Sequence, residues 1–429
     1  MGTRETRFTL AGVILFFVSI LANLRALMFF TLYPETASAF DLAWVEILLW
    51  FLASLGTLYL LIRDDLIPGY LLAWRCNWQI GLFILLALIS VLWSIAPVVT
   101  VFRALELFFA ALVAAYIGMR YDSAQLMDFL FWFGAILLIL SIAIIVAAPK
   151  TGTMYWTPFD GAWRGIYWHR NHLGSMTALI NMVYLCRAVT SIEKRDRMGY
   201  LDGFFYILSM VVLYFAESAS GYILFIFLHF IVFCIWLWLK VHYRLQRRHY
   251  YGIFGVLTAG LILILSNLEF VFGVFNRSTT LTGRVGLWNY LLSDVVSQRL
   301  WWGHGFGAAW TLDSFREEVR KHVGWASQPL ISDNGFFDIL LHVGVVGLLL
   351  FMGILSIVLA RSLRFAIFQK TLAGFFPLLF LLYALLANIP FSLFAETEVF
   401  VWLLLVSIIF MISPGEHFKN EKIEGASRA

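Results

Sequence analysis

Stretches of about 20 almost uninterrupted apolar residues recur along this chain, and that length is what a helix needs to cross roughly 30 Å of hydrocarbon. They lie near 9–31, 42–62, 78–95, 98–118, 126–148, 172–188, 201–216, 220–239, 250–267, 335–360, 373–390 and 396–413, with 201–216 the shortest. Inside a bilayer the backbone must satisfy its own polar groups, so runs of this kind form helices. Composition agrees: 62% of residues are hydrophobic, 17% aromatic and only 13% charged. Soluble domains hold about 45–50% apolar and about 25% charged residues. No compact soluble fold could hide so much apolar surface. Disorder, collagen, disulfide-rich secreted scaffolds and coiled coils are excluded on the same figures. The expected fold is all-α: one integral membrane domain over 1–429, a polytopic bundle of about 12 transmembrane helices.

The loops assign the sides. With a cytoplasmic N-terminus, most of the 30 Lys and Arg residues fall on the inside, among them Arg63, Arg75, Arg120, Arg187, Lys194, Arg244, Arg361 and Arg364. The short outside loops near 32–41, 96–97, 217–219 and 391–395 contain no Lys or Arg. This is the positive-inside pattern with both termini cytoplasmic, as in a multi-pass protein of the bacterial inner membrane. It also accounts for the net charge of +4 without a nucleic-acid partner. Arg4 and Arg7 before the first run, and Ala37-Ser38-Ala39 after it, give that run the look of a signal peptide. Its apolar core exceeds the usual length of about 7–15 residues, so it reads as an uncleaved anchor. Cys76, Cys186 and Cys234 have no paired or ligand spacing, so neither a disulfide framework nor a zinc site is expected.

Polar residues gather in two outside segments, 149–171 and the long loop 267–334. A loop of that size should carry elements and function of its own. From Thr282 to Leu300, apolar Val285, Trp288, Leu292 and Val295 recur at helical spacing, which predicts an amphipathic helix. Ser314 and Glu317 have capping-box spacing, which predicts a second short helix through Arg316 to Val323. Between them, Trp301-Trp302-Gly303-His304-Gly305-Phe306-Gly307 is too glycine-rich for a helix. Arg164, Arg170 and Arg284 each stand beside glycine or a predicted helix start, where backbone amides add to a guanidinium's affinity for phosphate oxygens. They point to a phosphorylated ligand at the outer face. Anchoring of loops to lipid headgroups by interfacial Arg and Trp is an equal alternative. Within the spans, Arg103 and Glu106 share a helix face and read either as a structural pair or as the lining of a charged ligand's entrance.

Four motifs in order carry a resemblance. Arg164-Gly-Ile-Tyr-Trp-His-Arg-Asn-His-Leu-Gly174, Gly283-Arg284-Val-Gly-Leu-Trp288, Gly303-His-Gly-Phe-Gly307, and Asp333-Asn334-Gly335-Phe336-Phe337 with Gly344-Val-Val-Gly347 resemble signatures of the O-antigen ligase and exopolysaccharide polymerase superfamily. Weaker echoes are Trp93-Ser94 with Pro97 and Arg103, Ser218-Ala-Ser220-Gly221, and Glu396. The resemblance implies a large extracytoplasmic loop between late spans, no cofactor and no catalytic metal. It implies transfer of an oligosaccharide from undecaprenyl diphosphate to a sugar hydroxyl. The acceptor is another lipid-linked repeat unit in polymerases and lipid A–core in ligases, and a chain-length regulator is among the partners it admits.

On that footing Arg164, Arg170 and Arg284 are expected to hold the diphosphate. Asn171, Asn334, Trp288 and Arg103 join them as substrate-binding candidates. A base must take the acceptor proton, and the candidates are Asp333, His169 and His304. Ligases carry histidine where this chain has Asp333, which tilts the reading toward a polymerase. Asp333 also reads as the N-cap of the following helix, His169 as an interfacial histidine, and Trp288 as belt or core packing. A transporter or flippase is the rival from another class, but its polar residues would sit near the midplane. Glycosyltransferases using lipid-monophosphate sugars would need acidic metal ligands in the first outside loop, where only Glu35 and Asp41 stand.

Overall fold

A computed structural model describes residues 39–155, 159–241, 284–324, 331–394 and 399–413. Among them the regular structure is helical, apart from one isolated antiparallel bridge between Thr153 and Trp163. Helix α1 (Ala39–Arg63) turns through 118° into α2 (Ile67–Cys76), a short helix the apolar-run reading left inside a loop. Asp65 in the left-handed region and Pro68 in the first turn of α2 make that corner. Next come α3 (Trp78–Ile89), prolonged by a 3-10 turn at Ser90–Trp93, and α4 (Pro97–Arg120). A capping box of Asp122 and Gln125 starts α5 (Ser123–Ala147). After the first outer segment come α6 (Arg170–Lys194), α7 (Met198–Ala216) and α8 (Ala219–Val241). The second outer segment holds α9 (Arg284–Tyr290) and α10 (Asp313–Val323), and the chain closes with α11 (Gly335–Gln369), α12 (Leu372–Ala387) and α13 (Val399–Met411).

Six of these, α4 to α8 and α11, are long and apolar enough to cross a membrane, or seven if α1 and α2 form one bent span. The helix prolonged from α3, with α12 and α13, is apolar but shorter. The chain is a multi-pass membrane protein. The runs near 9–31 and 250–267, and Glu396, lie outside the described residues. Leu58, Ile62, Phe204, Ile207, Ile226, Phe233 and Leu349 face outward, as lipid contact requires. Small residues set the closest crossings. A Cβ on Gly118 of α4 would collide with the Ser407 carbonyl of α13, and one on Gly221 of α8 would meet Gly174 of α6 at 2.9 Å.

Contacts sort the loops into two ends. Arg187 bonds Asp202 at 2.9 Å and also pairs with Asp128, while Arg361 reaches Asn77, which in turn donates to Ser413 at 3.1 Å. All of these except Ser413, which ends the last span, lie at or beside segments that the charge pattern assigns to the inside. The opposite end carries 149–169, 284–324 and 331–334, and is called the outer end below.

Helix α11 is broken at Gly344 (φ 69). The glycine-rich turn repairs the break. His304 N donates to Leu341 O at 2.9 Å and Gly305 N to His342 O at 3.0 Å, while Val345 N donates to Leu300 O at 2.9 Å. Non-helical backbone at membrane depth survives only where protein satisfies it in this way. A Cβ on Gly303 would lie 2.6 Å from the His342 carbonyl carbon, and one on Gly344 would strike the Trp301 carbonyl. Two glycine motifs far apart in sequence are therefore one structural unit.

Candidate active site

The first outer segment is folded by its arginines. Arg164 donates from Nε to Thr151 O at 2.8 Å and from a terminal nitrogen to Trp168 O at 3.2 Å, and its guanidinium lies 5.5 Å from the Tyr155 ring centre. Arg170 donates to the Glu217 carbonyl and lies 4.0 Å from the Phe159 ring centre. They are 6% and 2% exposed. Arg164 thus holds two backbone carbonyls and Arg170 one, so both guanidiniums brace the backbone around them.

His169 is the N-cap of α6. Its Nδ1 accepts from Asn171 N at 3.1 Å, and its ring lies against Trp168 and Phe159. An imidazole that accepts at Nδ1 carries its proton on Nε2, so it can donate to an anion but cannot take a proton there. Burial holds His169 down to about 3, with His172, Arg170, Arg284 and Arg164 pushing the same way. Asn171, half-buried beside the cap, accepts from Ser218 Oγ at 3.2 Å, which joins the Ser-Ala-Ser-Gly echo to this motif.

In the second segment α9 widens at Leu291–Val295 and tightens at Val296–Arg299. Leu287, Leu291 and Val295 are buried, while Val285 and Leu292 are exposed. The predicted apolar face is corrected accordingly, because a changing number of residues per turn defeats a constant period. Helix α10 forms as expected but without the Ser314 box: Leu312 stands at the N-cap, and no side chain caps the helix.

Arg284 and Asp333 meet here. Arg284 Nε donates to Asp333 Oδ2 at 2.9 Å, and Asp333 is its one side-chain partner among the described residues. Their side chains are 15% and 29% exposed, so the pair is partly open. Asp333 does not cap α11. Asn334 does, its Oδ1 accepting from Phe336 N at 3.0 Å and Phe337 N at 3.3 Å. Asp333 instead takes a left-handed backbone (φ 54), which turns its carboxylate toward α9. Trp288 donates to Ser332 O at 2.9 Å and stacks on Phe337 with centroids 5.4 Å apart, so one indole face is already covered.

His304 is 6% exposed, its Nδ1 lies 3.3 Å from Leu341 O, and burial lowers its pKa. It anchors the turn. Arg103 bonds Glu106 at 3.2 Å on their shared face, and its aliphatic stem packs against Gly307. Trp93 Nε1 donates to Trp302 O at 2.9 Å and Ile95 N to His304 O at 3.0 Å, so the Trp93-Ser94 echo braces the same turn. Among the described residues no group of three His, Cys, Asp or Glu could hold a metal ion.

Residues 204–352 match the family described as O-Antigen ligase. This stretch is similar to that family. The match runs from α7 through the second outer segment into α11, and so includes Arg284, Trp288, His304, Asp333 and Asn334, while the α6 motif precedes it. It agrees with the O-antigen ligase and polymerase superfamily, a glycosyltransferase-like group of enzymes. A search of curated proteins gives no match.

One residue of this neighbourhood escaped the motif reading. Asp338 is fully buried at the start of α11, where Trp310 Nε1 donates to it at 2.7 Å and Ser392 Oγ donates to its other oxygen. The available signal was a lone carboxylate inside an apolar run, which is rare without a function or a partner.

Proposed function

We propose that this protein transfers an oligosaccharide from undecaprenyl diphosphate to a sugar hydroxyl at the outer face of the inner membrane, and that the acceptor is another lipid-linked repeat unit. The observation that carries this reading is the Arg284–Asp333 pair, which puts a guanidinium and a carboxylate 2.9 Å apart at the outer mouth of the bundle. The acceptor oxygen attacks the anomeric carbon, and its proton passes to the Asp333 carboxylate. The bond from that carbon to the diphosphate breaks, and its electron pair leaves with the lipid diphosphate. Arg284 keeps Nε on Asp333 and turns its terminal nitrogens to the departing oxygens, stabilising the charge that develops there. His169 Nε2 donates to the same anion from the mouth of α6. Arg164, Arg170 and Asn171 shape this wall, and Trp288 and Asn334 hold the segment that presents Asp333.

The backbone at Asp333 supports the assignment. Left-handed φ values favour Asn, Asp and His among side-chain-bearing residues. The histidine of the ligases and the aspartate here therefore suit one conformation, with a different base. A carboxylate in place of imidazole favours the polymerase. The family description favours lipid A–core as the second candidate acceptor. Purified protein given a lipid-diphosphate repeat unit alone should build a ladder of longer lipid-linked chains. A product formed only when lipid A–core is added would make it a ligase. Movement of unaltered donor across the bilayer would make it a transporter.

A further inference from the structure

The buried carboxylate of Asp338 gathers segments that are remote in sequence. Trp310 comes from the turn before α10, and its indole nitrogen donates to Oδ1 at 2.7 Å. Ser392 comes from the turn after α12 and donates to Oδ2. The backbone N–H of Asp338 donates to Asn334 O at 3.0 Å, which ties this turn to the residue after Asp333. Ser332 is itself fully buried and braces the following residue: its Oγ donates to Asn334 O at 2.7 Å and accepts from Asn334 N at 3.1 Å. Hydrogen bonds thus run from Asp338 through Asn334 to Ser332, the two residues that flank Asp333.

The same junction is tied a second time. Gly335 N donates to Asn388 O and Phe391 O, both at 3.0 Å. A Cβ at Gly335 would strike the Asn388 side chain, whose Oδ1 accepts from Leu393 N at 3.0 Å. The start of α11 is therefore wedged against the turn 388–394. Asp338 is the charged centre of the wedge, one turn below the left-handed residue that faces Arg284.

We propose that Asp338 is a positioning residue: by tying the first turn of α11 to the turns that carry Trp310 and Ser392, it fixes the backbone that aims the Asp333 carboxylate at Arg284 and the acceptor hydroxyl. This rests on the reading of Asp333 as the base. A strained left-handed residue keeps its geometry only when its surroundings over-determine it, and the Asp338 network supplies that constraint. Misplacing a reacting group by about 1 Å can cost about 10²-fold in rate.

The test is a double-mutant cycle on purified protein, with transfer from a lipid-diphosphate donor as the readout. Asp338→Asn keeps the volume and one acceptor oxygen. It should lower kcat on the order of 10- to 10²-fold while the donor KM changes by less than about twofold, because what is lost is alignment rather than ground-state binding. In an Asp333→Asn background the same change should leave the residual rate unaltered, since there is no base left to misalign. Ser332→Ala cuts the link without disturbing the bonds from Trp310 and Ser392, and should show the same dependence on Asp333. It serves as the test should Asp338→Asn fail to fold. Equal losses in both backgrounds would mean that Asp338 only supports the fold, and would overturn the inference. A normal Asp338→Asn enzyme beside an impaired Asp333→Asn enzyme would overturn this inference alone. An Asp333→Asn enzyme at the wild-type rate would overturn the parent reading and this one with it.

Discussion

Two outer segments bring arginines to the same end of the bundle, and they treat them in opposite ways. In 149–171 the guanidiniums of Arg164 and Arg170 are buried on backbone carbonyls and against the rings of Tyr155 and Phe159. In 284–334 Arg284 is paired with a side chain, Asp333, and the pair is partly open. Residue type and membrane side are shared, but the partner differs. A carbonyl is a fixed part of the loop, whereas a carboxylate can exchange its guanidinium contact with an incoming anion. The first segment reads as a wall held by arginine, and the second as the reacting centre.

The sharpest break of that comparison is at Arg284. Arg284→Ala should lower transfer by about 10²–10³-fold or more, the scale for losing one preorganised donor to a developing anion. Arg284→Lys should not restore it, because a point charge cannot hold Asp333 through one nitrogen and diphosphate through others. Thermal unfolding of the purified variants should stay near wild type. Full activity in a well-folded Arg284→Ala protein would remove this residue from the chemistry.

At Arg164 and Arg170 the expected loss is of stability. Alanine at either position strands buried carbonyls at a cost of about 1–3 kcal/mol each. Unfolding temperature and yield should therefore fall, while transfer per folded molecule changes little. A folded Arg170→Ala enzyme with a large loss of kcat would put the first segment back into the chemistry.

The smallest effect belongs to His169. Its unfolded-state pKa is near 6.5, and burial holds the folded value at about 3. Between those values the unfolded chain binds more protons, so the stability owed to the neutral cap falls as pH drops through that window. Wild type should lose roughly 1–2 kcal/mol between pH 7 and pH 5. His169→Asn, also a good cap, should lack that component and match wild type within about 1 kcal/mol at pH 7. Unfolding midpoints at the two pH values measure it. Parallel pH dependence in both proteins would deny the cap its neutral state.

Much of this was legible in the sequence, for physical reasons. Apolar runs near 20 residues report helices because lipid allows the backbone little else, and each such run within the described residues coincides with an apolar helix. The motifs carrying Arg284, Asp333 and the glycines come together at one end of the bundle. What the pattern could not show was partnership. Nothing local distinguishes Arg170, whose donor ends on a carbonyl 47 residues away, from Arg284, which meets a carboxylate 49 residues away. Asp333 looked like a cap because Asp before a helix usually is one, yet Asn334 behind it took that place once Asp333 turned left-handed. The Leu291–Val295 widening, the α2 corner and the Asp338 network all depend on tertiary contacts that override local period.

The central claim is that Asp333 takes the acceptor proton while Arg284 receives the leaving diphosphate. The direct measurement is single-turnover transfer by purified Asp333→Asn protein from a lipid-diphosphate donor. The account predicts a loss of about 10²–10⁴-fold, the usual scale for a general base, with the donor still bound because Arg284 remains. Transfer at the wild-type rate would contradict it.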